Sequence, residues 1–286
     1  MDYMKRPPAV AGQFYPSDST KLLRMIEWSF RSVGFPEIPK PNFSGLRKIR
    51  GLMVPHAGYM YSGPTAAKAY QALAEDGAPE TFIIIGPNHA GLGGPVSIMK
   101  RGVWETPLGD VELDFEVGTM IEENCELIEE DTVAHRFEHS IEVQIPFLQA
   151  IYGDKFRIVP IIMLAQDLQT SKLLGKAISD AVSSSGRDVV IIASSDLTHY
   201  EPQIEAKRKD SLVLLALEKM SEDAVYKRVV ELNVSMCGYG PVMAMLVSSK
   251  SLGGKRAVIL DYRTSGDVTG DLSAVVGYAS AAVYIE

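Results

Sequence analysis

Cysteine is scarce in this chain. There are two among 286 residues, Cys125 and Cys237, and they stand 112 positions apart. A disulfide framework is therefore excluded as an organising device. Long apolar runs are missing as well. No stretch of about 18 apolar residues occurs, so no membrane-spanning helix is expected. The opening Met1-Asp2-Tyr3-Met4-Lys5-Arg6-Pro7-Pro8 lacks the apolar segment of a signal peptide. A cytosolic (cytoplasmic) protein is expected, in which the sequon Asn233-Val234-Ser235 has no glycosylation role. Positive charge is also in short supply, with 28 Lys and Arg against 36 Asp and Glu, a net charge of -8. No basic run is present, and nucleic acid is not an expected partner, because phosphate binding leaves a positive footprint.

What is present is a large apolar fraction, 46% of residues, enough for a sizeable core. Four short Ile- and Val-rich segments read as strands covered on both faces: Gly51–Val54, Thr81–Ile85, Phe156–Met163 and Asp188–Ala193. Helical stretches separate them, at Pro64–Ala74, Ser140–Tyr152 and Leu168–Ser183. A further helix over Ser19–Val33 places Leu22, Leu23, Ile26 and Phe30 at helical spacing, with Asp18 or Ser19 as its cap. Residues 36–46 are Pro-rich and polar, and read as a surface loop. Ala257–Asp261 and Ala274–Ile285 read as late strands, and Val96–Leu113, with its Pro and Gly breaks, as a hairpin. Residues 1–286 are expected to form one α/β domain, a mixed sheet flanked by helices. No linker or repeat divides the chain.

Histidine is rare too, and its placement is informative. Three of the five, His56, His89 and His199, lie zero to a few residues past the end of an expected buried strand. In open α/β sheets the carboxyl edge is where ligands bind. Each alone is more often a hydrogen-bonded structural residue than a ligand; three at one edge point to a shared site. Imidazole is the commonest metal ligand near neutral pH. Asp196 reads either as a turn or capping residue, or as a carboxylate that ligates a metal or orients an imidazole. Cys237 lies in Ser235-Met236-Cys237-Gly238-Tyr239-Gly240-Pro241, a tight turn before a helix expected from Pro241. A thiol there can be a depressed-pKa thiolate, or simply a small buried hydrophobe. Cys125 sits among Glu122, Glu123 and Glu126, which disfavour a thiolate, and is given no role.

His135 and His139 are spaced i, i+4, but no Glu follows the first directly, as zincins require. With Ser140 as an N-cap, His139 is placed before a helix, facing the cleft from a loop, with Glu142 as its partner. His135 is expected to be a solvated loop residue. Gly91-Leu92-Gly93-Gly94 lacks the setting of a phosphate loop. No G-x-S-x-G elbow occurs, which argues against a hydrolase triad.

These residues together carry a resemblance. Arg6-Pro7-Pro8-Ala9-Val10-Ala11-Gly12-Gln13-Phe14-Tyr15-Pro16, Pro55-His56-Ala57-Gly58-Tyr59 with Ser62-Gly63, and Gly86-Pro87-Asn88-His89 resemble the MEMO family. So do Glu138-His139-Ser140-Ile141-Glu142, Ser194-Ser195-Asp196-Leu197-Thr198-His199 and Cys237-Gly238. The resemblance runs over nearly the whole chain. It implies a fold like the class III extradiol dioxygenases, which are non-haem iron enzymes. It also implies a metal held by His56, His89 and Cys237, the last standing where those enzymes carry a carboxylate. His139, His199 and Asp196 match further cleft residues with catalytic roles. One departure is visible: some relatives have a His three residues after this Cys, where this chain has Gly240.

Iron(II) is the metal the resemblance favours. A set with a thiolate is softer and also suits copper or zinc. Two classes of function follow. One is a metal-dependent oxidoreductase, dioxygenase-like, acting on a small substrate, with His139 or His199 as base. The other is a binding module that keeps the cleft for a peptide or protein partner. For animal relatives a phosphotyrosine peptide has been proposed, but few arginines lie near the motifs here to hold a phosphate. In archaea and bacteria, relatives accompany radical-SAM and AMMECR-type proteins, which by association alone are further candidate partners.

Overall fold

The computed structural model describes residues 4–286. Its strands are β1 (Lys5–Arg6), β2 (Ile49–Val54), β3 (Thr81–Pro87), β4 (Val96–Ile98), β5 (Val103–Thr106), β6 (Gly109–Glu112), β7 (Ile128–Glu130), β8 (Arg157–Met163), β9 (Val189–Ser194), β10 (His199–Glu201), β11 (Arg256–Thr264) and β12 (Val275–Tyr284). The helices are α1 (Ser19–Arg31), α2 (Tyr59–Asp76), α3 (Phe115–Glu123), α4 (Thr132–His135), α5 (Ile145–Tyr152), α6 (Leu168–Ser185), α7 (Gln203–Glu218), α8 (Glu222–Glu231), α9 (Tyr239–Ser251) and α10 (Gly266–Thr269).

The main sheet runs in the order β10-β12-β2-β9-β3-β8-β4-β7, with β11 on β12. Strands β2, β9, β3 and β8 are mutually parallel. β12 enters antiparallel to β2 and carries β11 antiparallel on itself, while β4 is antiparallel to β8. The expected mixed α/β architecture is observed. The central strands form because both their faces are covered. In β3, Ile83 and Ile85 join one apolar core with α6, α7 and α9, while Phe82 and Ile84 join a second with α1, α2 and α5. β1, β5 and β6 make a separate small sheet. The expected 96–113 hairpin is thus divided: β5 and β6 pair as a hairpin, whereas β4 joins the main sheet.

Three helix starts depart from expectation. α2 begins at Tyr59, with Pro64 inside it, because Gly58 provides the entry. α9 begins at Tyr239, leaving Pro241 in its first turn, where a missing N–H costs nothing. Ser140 caps no helix. Its hydroxyl donates to the Pro87 carbonyl at 3.1 Å, and the chain passes through a 3₁₀ turn at Glu142–Gln144 before α5.

Candidate metal centre

Because β2, β9 and β3 are adjacent and parallel, their carboxyl ends lie side by side. His56, Asp196 and His89 each follow two residues beyond one of those ends. The loop before α5 brings His139 to the same point. Ring centroids are 5.3 Å apart for His56 and His89, 5.5 Å for His56 and His139, and 4.6 Å for His89 and His139. One nitrogen from each of the three lies within 4.8 Å of the others. Nitrogens bound to one ion at about 2.0–2.1 Å sit roughly 3.4 Å apart in a tetrahedral site, so small side-chain rotations would let the three nitrogens meet one metal ion.

The surroundings fix which nitrogen each ring offers. Ser194 has one hydroxyl hydrogen, which it donates to the Ser140 carbonyl at 2.6 Å, and it accepts from Gln144 Nε2 at 2.8 Å. The 2.9 Å contact with His56 Nδ1 therefore runs from imidazole to hydroxyl. His56 is protonated on Nδ1 and presents a bare Nε2. For His89, Nδ1 donates to Glu138 Oε1 at 3.0 Å, again leaving Nε2 bare. Glu138 also accepts the backbone N–H of His89 at 2.6 Å and of Ser140 at 2.7 Å. Burial alone would raise this carboxyl. The hydrogen bond from His89, the electrostatic influence of the His89 and His139 rings and the Ser140 N–H reverse that and hold it below the usual carboxylate range. A metal-binding His with its other nitrogen on a carboxylate or hydroxyl is the arrangement that orients a ligand.

Burial lowers the basicity of His56 and His139, so both are neutral at pH 7 and free of a competing proton. His199 donates from Nδ1 toward the carbonyls of Leu197 at 2.7 Å and Ser235 at 2.8 Å. Asp196 is 4% exposed, accepts the His56 backbone N–H at 2.8 Å, and burial pushes it up to about 6.

The Cys237 sulfur lies 3.2 Å from His56 Nε2 and accepts the Asp196 N–H at 3.2 Å. Gly238 makes this approach possible: a Cβ there would stand 2.4 Å from the Ser194 carbonyl oxygen. The expected depression of the thiol pKa is not found. The protein crowded about the sulfur, then the Asp196 carboxyl, pushes the thiol up despite its partial solvent access. The α9 N-terminus does not outweigh that burial. A cation on the sulfur would reverse the balance, since coordination itself deprotonates a thiol.

Two other expectations are overturned. Glu142 is not the partner of His139. It is fully buried, paired with Arg6, and accepts from the N–H groups of Ala9 and Val10 and the Tyr15 hydroxyl. Glu138 stands beside His139 instead, at 3.6 Å. His135 is not a solvated loop residue. It ends α4, is fully buried, and meets the Trp104 ring edge-on at 5.8 Å.

Sequence reasoning quoted Glu138 but gave it no role; an acid immediately before a cleft His was the available signal. Ser194 and Gln144 carried no signal, because their function is to fix a hydrogen position through the fold. Tyr200 stands next to His199. It is a 78% exposed residue with φ 59°, its ring 5.8 Å from that of His199. A bulky residue in the left-handed region is uncommon, and such strain clusters at functional sites.

Comparison with known proteins adds a family. A model described as Memo-like protein matches residues 6–282. The chain belongs to the Memo-like family. A MEMO1 family protein of Methanopyrus kandleri is 49% identical over 278 residues, covering 97% of this chain and 98% of that one. Another, from Ignicoccus hospitalis, is 49% identical over 276 residues, covering 96% and 97%. An uncharacterized Escherichia coli K12 protein of known structure is 12% identical, with a TM-score of 0.56 over 82% of this chain and 99% of that one, a likeness of fold alone. Within this Memo-like chain, the three-imidazole cluster could hold a metal ion. No helix among its described residues is long and apolar enough to cross a membrane.

Proposed function

We propose that this Memo-like chain is a metal-dependent oxidoreductase, dioxygenase-like in its chemistry, acting on a small molecule. The observation that carries the reading is the pair of bare Nε2 atoms on His56 and His89, each fixed by a hydrogen bond at Nδ1. His56 and His89 supply the two imidazoles, and the Cys237 sulfur, 3.2 Å from His56 Nε2, supplies the third ligand as thiolate. Iron(II) is the first choice through the family's resemblance to extradiol dioxygenases; the thiolate also accommodates copper or zinc. Such an ion, when bound, provides Lewis acidity and, if redox-active, one-electron chemistry with oxygen. His139, neutral at pH 7, takes a proton from substrate, with Glu138 beside it to stabilise the imidazolium. Asp196 holds the His56 backbone in place, and His199 lines the same edge.

The test is metal content and oxygen uptake measured together in anaerobically purified, metal-loaded protein, scanned over catechols and thiols. Cys237→Ser should lose metal, and Cys125→Ser should retain it. His139→Gln should retain metal and lose turnover. Loss of metal from His139→Gln with retention in Cys237→Ser would make His139 the third ligand. Metal-loaded protein without oxygen uptake on any substrate would sink the oxidoreductase reading and leave a peptide-binding cleft.

A further inference from the structure

The outer face of α7 carries a pattern the site does not use. Ile204, Lys207, Ser211, Leu214 and Glu218 recur at alternating steps of three and four, one stripe along the helix. Ile204 is 86% exposed and Leu215, beside the stripe, 51%. Between this face and Tyr262 of β11 lies an apolar groove of about 410 Å³ floored by Leu214 and Leu215. Tyr262 is locked as its wall by donating to Asp210 at 2.8 Å. β11 pairs with β12 and with no other strand among the described residues, so this face lies at an end of the sheet.

The charges are ordered. Beyond Ile204, Lys207 and Glu218 bound the rest of the stripe, at equal distances from the point between Leu212 and Val213. Ser211 and Leu214 are symmetric about that same point. Among the described residues neither Lys207 nor Glu218 meets an opposite charge. Their neighbours on the helix do: Arg208 pairs with Glu205, and Lys209 with Glu201. A face of this kind is complementary to its own copy turned through a twofold axis. Antiparallel α7 helices would set Lys207 against the partner's Glu218 at both ends, with Ser211 against the partner's Leu214 and the two Leu215 side chains flanking the axis. Isologous contacts about a twofold are the commonest way for a soluble chain to associate. The opposite charges of Lys207 and Glu218, unpaired among the described residues, are what make this face complementary to its own copy.

We infer that α7 is the contact face of a homodimer, two copies packing their α7 helices antiparallel with reciprocal Lys207–Glu218 ion pairs. The argument is independent of the metal centre.

Sedimentation equilibrium of the full chain across a concentration series is the test. The wild type should reach twice the chain mass, and added salt should weaken association, because the end pairs are solvent-exposed. Lys207→Glu and Glu218→Lys should each weaken dimerisation by about tenfold or more, since each change removes two attractions and creates two repulsions. The double variant Lys207→Glu/Glu218→Lys restores both pairs with reversed sign and should return to within about threefold of wild type. All the substituted positions are exposed, so circular dichroism and melting should be unchanged. A wild type that stays monomeric up to about 200 µM, a tightness of roughly 5 kcal/mol that a specific contact should exceed, would overturn the inference. So would a dimer indifferent to both single reversals, or one that the double variant fails to rescue.

Discussion

At the scale of the residue, the site is an arrangement of hydrogens. Glu138 receives His89 Nδ1 and two backbone N–H groups, so it sets both the tautomer and the orientation of that ring. Glu138→Gln keeps the shape but can turn an amide N–H toward Nδ1. Metal affinity measured by calorimetric titration should fall about 10- to 100-fold; an unchanged affinity would mean that His89 is not a ligand. His135 gives a different prediction. Burial, with Arg6 adding to it, lowers His135 to about 3. The unfolded chain, with an ordinary imidazole near 6.5, therefore takes up the proton first as pH falls. Stability is undiminished above about pH 6.5 and drains by roughly 1.4 kcal/mol per pH unit below it, until pH nears 3. In His135→Gln, denaturant melts from pH 6.5 to 4.5 should lose about that slope relative to wild type; parallel curves would refute the assignment. Sequence placed His56, His89 and Asp196 at strand ends, because a strand's length and its last residue are local facts. It misplaced His135 and misassigned Glu142, since whether Arg6 or water surrounds a group some 130 residues away is not local.

At the scale of the element, the strands were the legible part. β2, β3, β8 and β9 are short apolar runs, and being covered on both faces is what such a run means. α7 and α8 went unread, because both are rich in charge and are stabilised by packing that the sequence does not display. The expected Ser140 cap is absent for a similar reason: the chain enters a 3₁₀ turn first, and the Ser140 hydroxyl donates to the Pro87 carbonyl across the fold while accepting no helix N–H. Helix contact is tightest between α6 and α9. A Cβ on Gly175 of α6 would stand 2.6 Å from Val247 Cβ and 2.7 Å from the Ala244 carbonyl oxygen. Backbone cannot yield there, so the helices must part. Gly175→Ala should destabilise by about 1–3 kcal/mol despite its better helix propensity. A thermal melt no lower than wild type would show that the two helices slide freely.

At the scale of the whole molecule, the proposed ion would bind the folded chain and not the unfolded one. Saturation at about 100 times the dissociation constant would then add about 2.7 kcal/mol of stability. For a chain of this size that is roughly 4–5 °C of melting temperature. The shift should vanish in His56→Ala, and a shift of equal size in that variant would place the ion elsewhere. The contact of Cys237 with His56 joins residues 181 positions apart, and that of Asp196 with His56 spans 140. With Cys237 as the proposed third ligand, nothing upstream of the last fifth of the chain would complete the centre, so a polypeptide still being synthesised would carry the imidazoles but not the thiol. Loops of that length are slow to close, which makes the centre a record of finished folding rather than a template for it. On that reading, acquiring the ion would be the last event of the chain's maturation.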